Sequence, residues 1–161
     1  MRLNAAALVI AMVVSACAPA EPTPSARPSV ASTSTPSGPV DPAAQPPSGS
    51  LSVDGGDPVP GALGAYEWLE TGSASPWLPG APITVGRGEV ARMALEPPLG
   101  IASWRARAAT QLDGDDARRL ADGLDQVSFG VPEPGEWTIE ITVQFAGGVG
   151  SASYYWRMTV Q

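Results

Sequence analysis

A strict alternation of apolar and polar residues near the C-terminus limits the folds open to this chain. Between Gly135 and Ala146, every second position is apolar: Trp137, Ile139, Ile141, Val143 and Phe145. After a Gly-Gly-Val-Gly turn, the same pattern runs from Ala152 to Val160. A period of two is typical of β-strands with one buried face. The two segments therefore predict an antiparallel hairpin that closes the domain.

Shorter apolar segments precede the hairpin and predict further strands. They lie at residues 51–53, 62–68, 83–85, 90–95, 102–108 and 127–131. The one departure is the segment from Asp113 to Gly123, where Asp115 or Asp116 is placed to cap a single helical turn through Leu120. Many short strands separated by turn signals predict an all-β, immunoglobulin-like two-sheet sandwich.

The entry to the hairpin resembles a known pattern. Residues 132–141 read Pro-Glu-Pro-Gly-Glu-Trp-Thr-Ile-Glu-Ile. This run is similar to the Pro-Gly-x-aromatic-x-apolar entry to the penultimate strand in fibronectin type III and bacterial immunoglobulin-like domains. Trp137 stands where those families usually carry Tyr or Trp. The resemblance implies the sandwich fold and says little about activity, because this fold serves many functions.

The first residues have the layout of a secretory signal peptide. Arg2 provides a basic end, an apolar run follows from Ala5 to Val14, and Ser15 and Ala16 are small. A membrane-spanning helix needs roughly 20 apolar residues, about twice the length of this run. We therefore expect residues 1–16 to direct export without forming a lasting transmembrane anchor.

The end of this segment, Val14-Ser15-Ala16-Cys17, resembles the lipobox of bacterial lipoproteins. In that family the cysteine thiol receives a diacylglycerol, the signal is cut just before it, and the new amino group is often acylated. The resemblance implies that Cys17 is the lipid attachment site and that the protein is held on the extracytoplasmic face of the cell membrane. Two or three acyl chains suffice for stable attachment. The alternative is an ordinary signal peptide cut at Ala16-Cys17-Ala18 or Ala18-Pro19-Ala20.

A linker is expected after the lipobox. Residues 17–50 consist mainly of Pro, Ser, Thr, Ala and Gly and contain almost no large apolar side chain. Such a segment cannot bury enough surface to offset the entropy lost on ordering, so it should be a disordered tether. The folded domain is then residues 51–161, which is large enough to form a core without disulfide bonds.

Composition excludes several functional classes. The net charge is −7, which disfavours nucleic-acid binding. The chain has no histidine, which excludes Ser-His-Asp and Cys-His catalysis and most zinc sites. We therefore expect no catalytic residue, no metal and no cofactor, and we expect that the domain is not an enzyme. The predicted function is a binding or structural module at the cell envelope, whose partner is an envelope protein or a glycan.

Two acidic features keep other functions open. Glu67 with Glu70, or Asp115 with Asp116, are the nearest candidates for the acid pair of a small carboxylate-dependent hydrolase. The simpler interpretation is that they are solvated surface charges. The run from Asp113 to Asp116 offers oxygen ligands for calcium but lacks the alternating pattern of a helix-loop-helix calcium site, so a polar loop is the simpler interpretation.

Aromatic residues provide the candidate binding surface, which consists of Tyr66, Trp68 and Trp77. They lie in or beside the Gly- and Pro-rich stretch of residues 61–82. Exposed aromatic rings on a sandwich can stack on sugars or anchor a protein partner, so a carbohydrate-binding module is the alternative function. The other interpretation is that Trp68 and Trp77 cover one open end of the sandwich. The remaining tryptophans are predicted to lie in the core: Trp104, Trp137 and Trp156.

Overall fold

The computed structural model describes residues 45–161, so the predicted signal peptide, Cys17 and most of the predicted tether lie outside the described part. Within it, the strands are β1 Ser48–Val53, β2 Val59–Pro60, β3 Ala62–Trp68, β4 Thr71–Ser73, β5 Ala81–Val85, β6 Val90–Glu96, β7 Ile101–Ala109, β8 Arg118–Gly123, β9 Ser128–Gly130, β10 Gly135–Phe145 and β11 Gly150–Val160. A 3₁₀ turn at Ala146–Gly148 connects β10 to β11. None of residues 45–161 belongs to a helix long and apolar enough to cross a membrane.

The strands form two sheets. The smaller sheet has the order β2-β1-β6-β9, and the larger has the order β4-β3-β11-β10-β7-β8. Along one edge of β11, β3 pairs with its first half in the antiparallel sense, and β5 pairs with residues 156–160 in the parallel sense. The predicted all-β two-sheet sandwich is therefore confirmed.

The predicted hairpin forms the centre of the larger sheet. Ile139 lies opposite Trp156, and Ile141 lies opposite Tyr154. These four side chains are fully buried. They pack against a cluster that includes buried residues of the smaller sheet: Leu51, Ala91 and Phe129. The apolar positions that alternate along β10 and β11 thus form the large-sheet side of the core between the two sheets.

The three tryptophans predicted to be in the core differ in burial. Trp104 and Trp156 are buried, as predicted. Trp137 is half-buried and packs on the core from its rim. The Arg118 guanidinium carbon lies 4.4 Å from the centre of its ring, and its Nε1 donates a hydrogen bond to the Glu133 carbonyl at 2.8 Å. Trp137 therefore links the start of β10 to Glu133 and Arg118 and fills only the rim of the core.

The first strand begins three residues before the predicted domain boundary at Leu51. Ser48 is the first residue of β1, and the Tyr154 hydroxyl donates to the Pro47 carbonyl at 2.6 Å. A Cβ on Gly49 would lie 2.5 Å from Met93 Cε and 2.9 Å from the buried Tyr154 ring, so a larger residue here would force these side chains to move. Small residues here join the sheet through backbone hydrogen bonds, which an apolar pattern does not reveal.

The helical turn predicted in residues 113–123 is not present. Arg118–Gly123 is strand β8, which pairs with β7 at the edge of the larger sheet. Asp116 caps no helix and instead accepts hydrogen bonds from the Thr110 backbone N–H at 2.9 Å and from the Thr110 hydroxyl. Backbone hydrogen bonds to β7 stabilise this segment as a strand. They outweigh its local preference for a helical turn.

Candidate binding site on the outer face of the large sheet

The aromatic residues predicted to form a binding surface are not brought together. Trp68 is 9 % exposed, and its ring meets Phe145 edge to face with centroids 5.2 Å apart. Tyr66 is half-buried against the same core. Trp77 instead contacts Tyr155, a residue on the opposite face of the larger sheet. The expectation that Trp68 offers an exposed ring is therefore wrong.

A β-bulge explains why Trp68 points inward. On β11, Tyr154 and Ala152 are core residues two positions apart, but their partners on β3 are Leu63 and Tyr66, three positions apart. The extra residue on β3 changes which positions face the core. Trp68, two residues beyond Tyr66, consequently joins the core.

The other face of the larger sheet, called here the outer face, carries the polar half of the alternation. On β10 it includes Thr138, Glu140, Thr142 and Gln144. Glu140 is only 4 % exposed. Its Oε2 accepts a hydrogen bond from Arg107 Nε at 2.6 Å, and its Oε1 accepts one from the Tyr155 hydroxyl at 2.8 Å. The buried carboxylate is thus held by partners on both neighbouring strands.

Trp77 covers part of this network. Its ring centroid lies 5.7 Å from that of Tyr155 and 5.2 Å from the Arg107 guanidinium carbon. Trp77 also packs against Gly114, where a Cβ would lie 2.5 Å from the indole ring. Burial, followed by the hydrogen bond to Glu140, raises the pKa of Tyr155 above its ordinary value. Trp77 therefore acts as a structural cover over a polar cluster.

Beside this cluster the outer face holds a cavity of about 520 Å³. Its polar lining residues come from three adjacent strands: Ser103, Arg105 and Arg107 on β7, Asp122 on β8, and Thr142 and Gln144 on β10. In the register of the sheet, Thr142 lies directly opposite Arg105, and Gln144 lies directly opposite Ser103. Directly opposed side chains have Cβ atoms about 4.5–5.5 Å apart, so these groups can contact one ligand together.

The charges in the cavity are mostly paired. Arg107 is bound by Glu140, and Asp122 is bound by Arg119. Arg105 is exposed and has no ion-pair partner among residues 45–161, although Asp122 lies opposite it on β8. Thr142 exchanges a hydrogen bond with Ser153 at 3.0 Å. The cavity is therefore rich in hydrogen-bonding groups and has one positive charge that is not neutralised.

The two carboxylate pairs considered as hydrolase acid pairs, Glu67 with Glu70 and Asp115 with Asp116, lie outside the cavity. Glu67 and Glu70 are exposed and do not line the cavity. Hydrogen bonds, led by that from the Thr110 hydroxyl, lower the pKa of Asp116. A general acid needs the opposite shift, so Asp115 with Asp116 is a poor acid pair. Within residues 45–161 no three metal-ligating side chains are grouped as a metal site.

The sequence indicates the polar faces of the strands but not this cavity. The alternation of β10 places Thr142 and Gln144 on the polar face, and the alternation of β7 does the same for Ser103 and Arg105. Only the pairing of β7 with β10 brings the two sets together. The polar positions of both strands are therefore visible in the sequence, whereas their arrangement around one cavity is not.

No protein-family model and no curated protein matches this chain. One similar structure is the catalytic domain of the LPMO Lmo2467 from Listeria monocytogenes, at 14% identity and a TM-score of 0.43, covering 51% of this chain and 61% of that one. Another is a polysaccharide monooxygenase, CBM33, at 16% identity and a TM-score of 0.40, covering 50% of this chain and 59% of that one. This chain therefore spans about three fifths of the length of each of these two structures.

Both structures are named as monooxygenases, which are enzymes, and this finding overturns the prediction that the domain is not an enzyme. That prediction relied on the missing histidine and on the interpretation of the acid pairs as solvated surface charges. Those features exclude particular catalytic systems, but they do not exclude catalysis by a β-sandwich as such.

Proposed function

We propose that this protein is an exported lipoprotein, anchored through Cys17 on the extracytoplasmic face of a membrane, whose sandwich domain binds a glycan in the outer-face cavity. The observation that carries the binding proposal is the group of polar side chains that lines this cavity. They include Arg105, Thr142 and Gln144, which lie on two paired strands. The anchor rests on the lipobox resemblance and on Cys17 being the only cysteine.

A glycan suits the cavity better than the other ligand classes considered. Sugars present many hydroxyl groups, and the cavity offers hydroxyl, amide and guanidinium groups that can bond to them. The cavity volume of about 520 Å³ falls within the roughly 300–1,000 Å³ typical of ligand sites. Drug-like apolar ligands prefer sites lined by hydrophobic side chains. A nucleic-acid backbone would extend beyond the cavity over the rest of a chain whose net charge is −7.

Glycan binding is tested with the full chain, purified in mild detergent and applied to an array of neutral and acidic oligosaccharides. Gln144→Ala removes an amide from the cavity and should weaken binding about tenfold, the effect of losing about 1.4 kcal/mol of hydrogen bonding. Gln111→Ala is the matched control, because Gln111 is exposed and lies outside the cavity. Failure to bind any glycan, or equal losses in both variants, would contradict the proposal.

Anchoring is tested separately by metabolic labelling with a fatty acid. Cys17→Ala should abolish incorporation, since the chain has no other cysteine to form the thioether. Ser15→Ala is the control, because it keeps a small residue in the lipobox and should retain the label. Label that persists in Cys17→Ala would refute the lipid anchor and favour an ordinary signal peptide.

A further inference from the structure

We propose that the glycan bound in the outer-face cavity is anionic, and that its carboxylate or phosphate group is held by the guanidinium groups of Arg105 and Arg107. This inference rests on the proposed glycan-binding function and adds the chemical class of the ligand.

The carboxylates near the cavity are already engaged. Glu140 is bound to Arg107, and Asp122 is bound to Arg119. Arg105 has no such partner among residues 45–161 and is exposed at the cavity. Screening in physiological salt acts over about 8 Å, so the distant acids that make the whole chain negative have little effect here. The local field at Arg105 therefore favours an anion.

Arg107 supplies a second donor group that is already fixed in place. Its Nε lies 2.6 Å and its Nη2 lies 2.5 Å from Glu140 Oε2. A guanidinium group has five N–H donors, so the bonds to Glu140 leave others on Arg107 free for a ligand. The contact with Trp77 also holds the guanidinium in place. A donor fixed in advance loses less entropy when a ligand binds.

The two arginines are spaced to act together. Arg105 and Arg107 lie two positions apart on β7, so both side chains project from the outer face about 7 Å apart. Guanidinium groups form paired hydrogen bonds with carboxylates and phosphates. Thr142, opposite Arg105, and Gln144, the next outer-face residue along β10, can bond to the hydroxyl groups of the same sugar. The arrangement suits an anionic sugar better than a neutral one.

The proposal is tested with pairs of ligands that differ in charge alone. The full chain in mild detergent is titrated with several uronic-acid oligosaccharides, with the carboxyl-reduced form of each, and with sugar phosphates. At least one acidic ligand should bind about tenfold more tightly than its neutral counterpart, and added salt should reduce that advantage. Tight binding of uronates indicates a carboxylate ligand, and tight binding of sugar phosphates indicates a phosphate; either result supports the proposal.

Variants with the same charge change provide the control. Arg105→Gln keeps an amide donor but removes the charge, so it should weaken binding of the acidic ligand several-fold more than binding of the neutral form and thereby reduce the preference. Arg157→Gln removes an exposed arginine from the same face but outside this cavity, and it should behave like the parent chain. Equal affinity for acidic and neutral forms would overturn the anionic ligand and leave glycan binding intact. Binding of neither form would overturn both proposals.

Discussion

Glu140 and Arg107 lie directly opposite each other on β10 and β7 and are joined by a hydrogen bond of 2.6 Å. Glu140 is only 4 % exposed. A buried carboxylate is costly unless it is paired and hydrogen-bonded. Here Arg107 and Tyr155 meet that requirement. The ion pair also holds Arg107 at the cavity. Arg107 therefore contributes both to the stability of the sheet and to the proposed binding site.

Glu140→Gln should lower the free energy of unfolding by about 1–2 kcal/mol, because it replaces charge-assisted hydrogen bonds with neutral ones. The loss should be smaller than the 3–5 kcal/mol typical of a fully buried broken pair, since the Arg107 side chain is 38% exposed. Glu136→Gln makes the same change at an exposed position on β10 and should have little effect. Urea denaturation of both variants measures the difference, and equal stabilities would contradict a structural role for the pair.

Stability should fall as the pH rises above about 10. Burial raises the pKa of Tyr154 and of Tyr155, and Glu140 adds to the shift of Tyr155. The unfolded chain releases these protons near pH 10 while the native state keeps them, so each tyrosine lowers stability by up to about 1.4 kcal/mol per pH unit. Denaturation at several alkaline pH values should show this decline, with a smaller slope in Tyr155→Phe. An unchanged slope in that variant would show that Tyr155 ionises equally in both states.

Trp68→Ala should destabilise the domain by about 3–5 kcal/mol, the usual result of truncating a buried tryptophan. Trp77→Ala should cost less, because that ring is half-buried over the outer face. Thermal and urea denaturation compare the two variants directly. A Trp68→Ala chain of normal stability and impaired glycan binding would instead restore Trp68 as a surface residue.

A fragment of residues 51–161 should be less stable than a fragment of residues 45–161. The shorter one loses half of β1 and the Pro47 carbonyl that accepts the Tyr154 hydroxyl bond. A buried hydroxyl left without a partner costs about 1–3 kcal/mol, which corresponds to a drop of at least about 4 °C in melting temperature. Calorimetry checks this, with the full chain as the reference for the longer fragment. Equal melting temperatures would place the boundary at Leu51.

Much of the fold could be predicted because the signals are local. The alternation at Ile139, Ile141 and Val143 reflects a geometric period of two, and all three residues are buried. The alternation failed where burial depends on small residues, as at Gly49, or where an edge strand carries little apolar character, as at Arg118–Gly123. The candidate site could not be predicted in the same way, since its residues come from strands that are distant in sequence.

The amino-acid sequence is enough to predict a β-rich chain and the apolar faces of its long strands, and it contains one cysteine, set in a lipobox-like motif. Which strands are neighbours depends on the folded chain, and this pairing places Arg105 opposite Thr142. The fold also contains the bulge on β3 that turns Trp68 into the core. Side-chain alternation is set within each strand, whereas pairing and register depend on contacts between residues far apart in the chain.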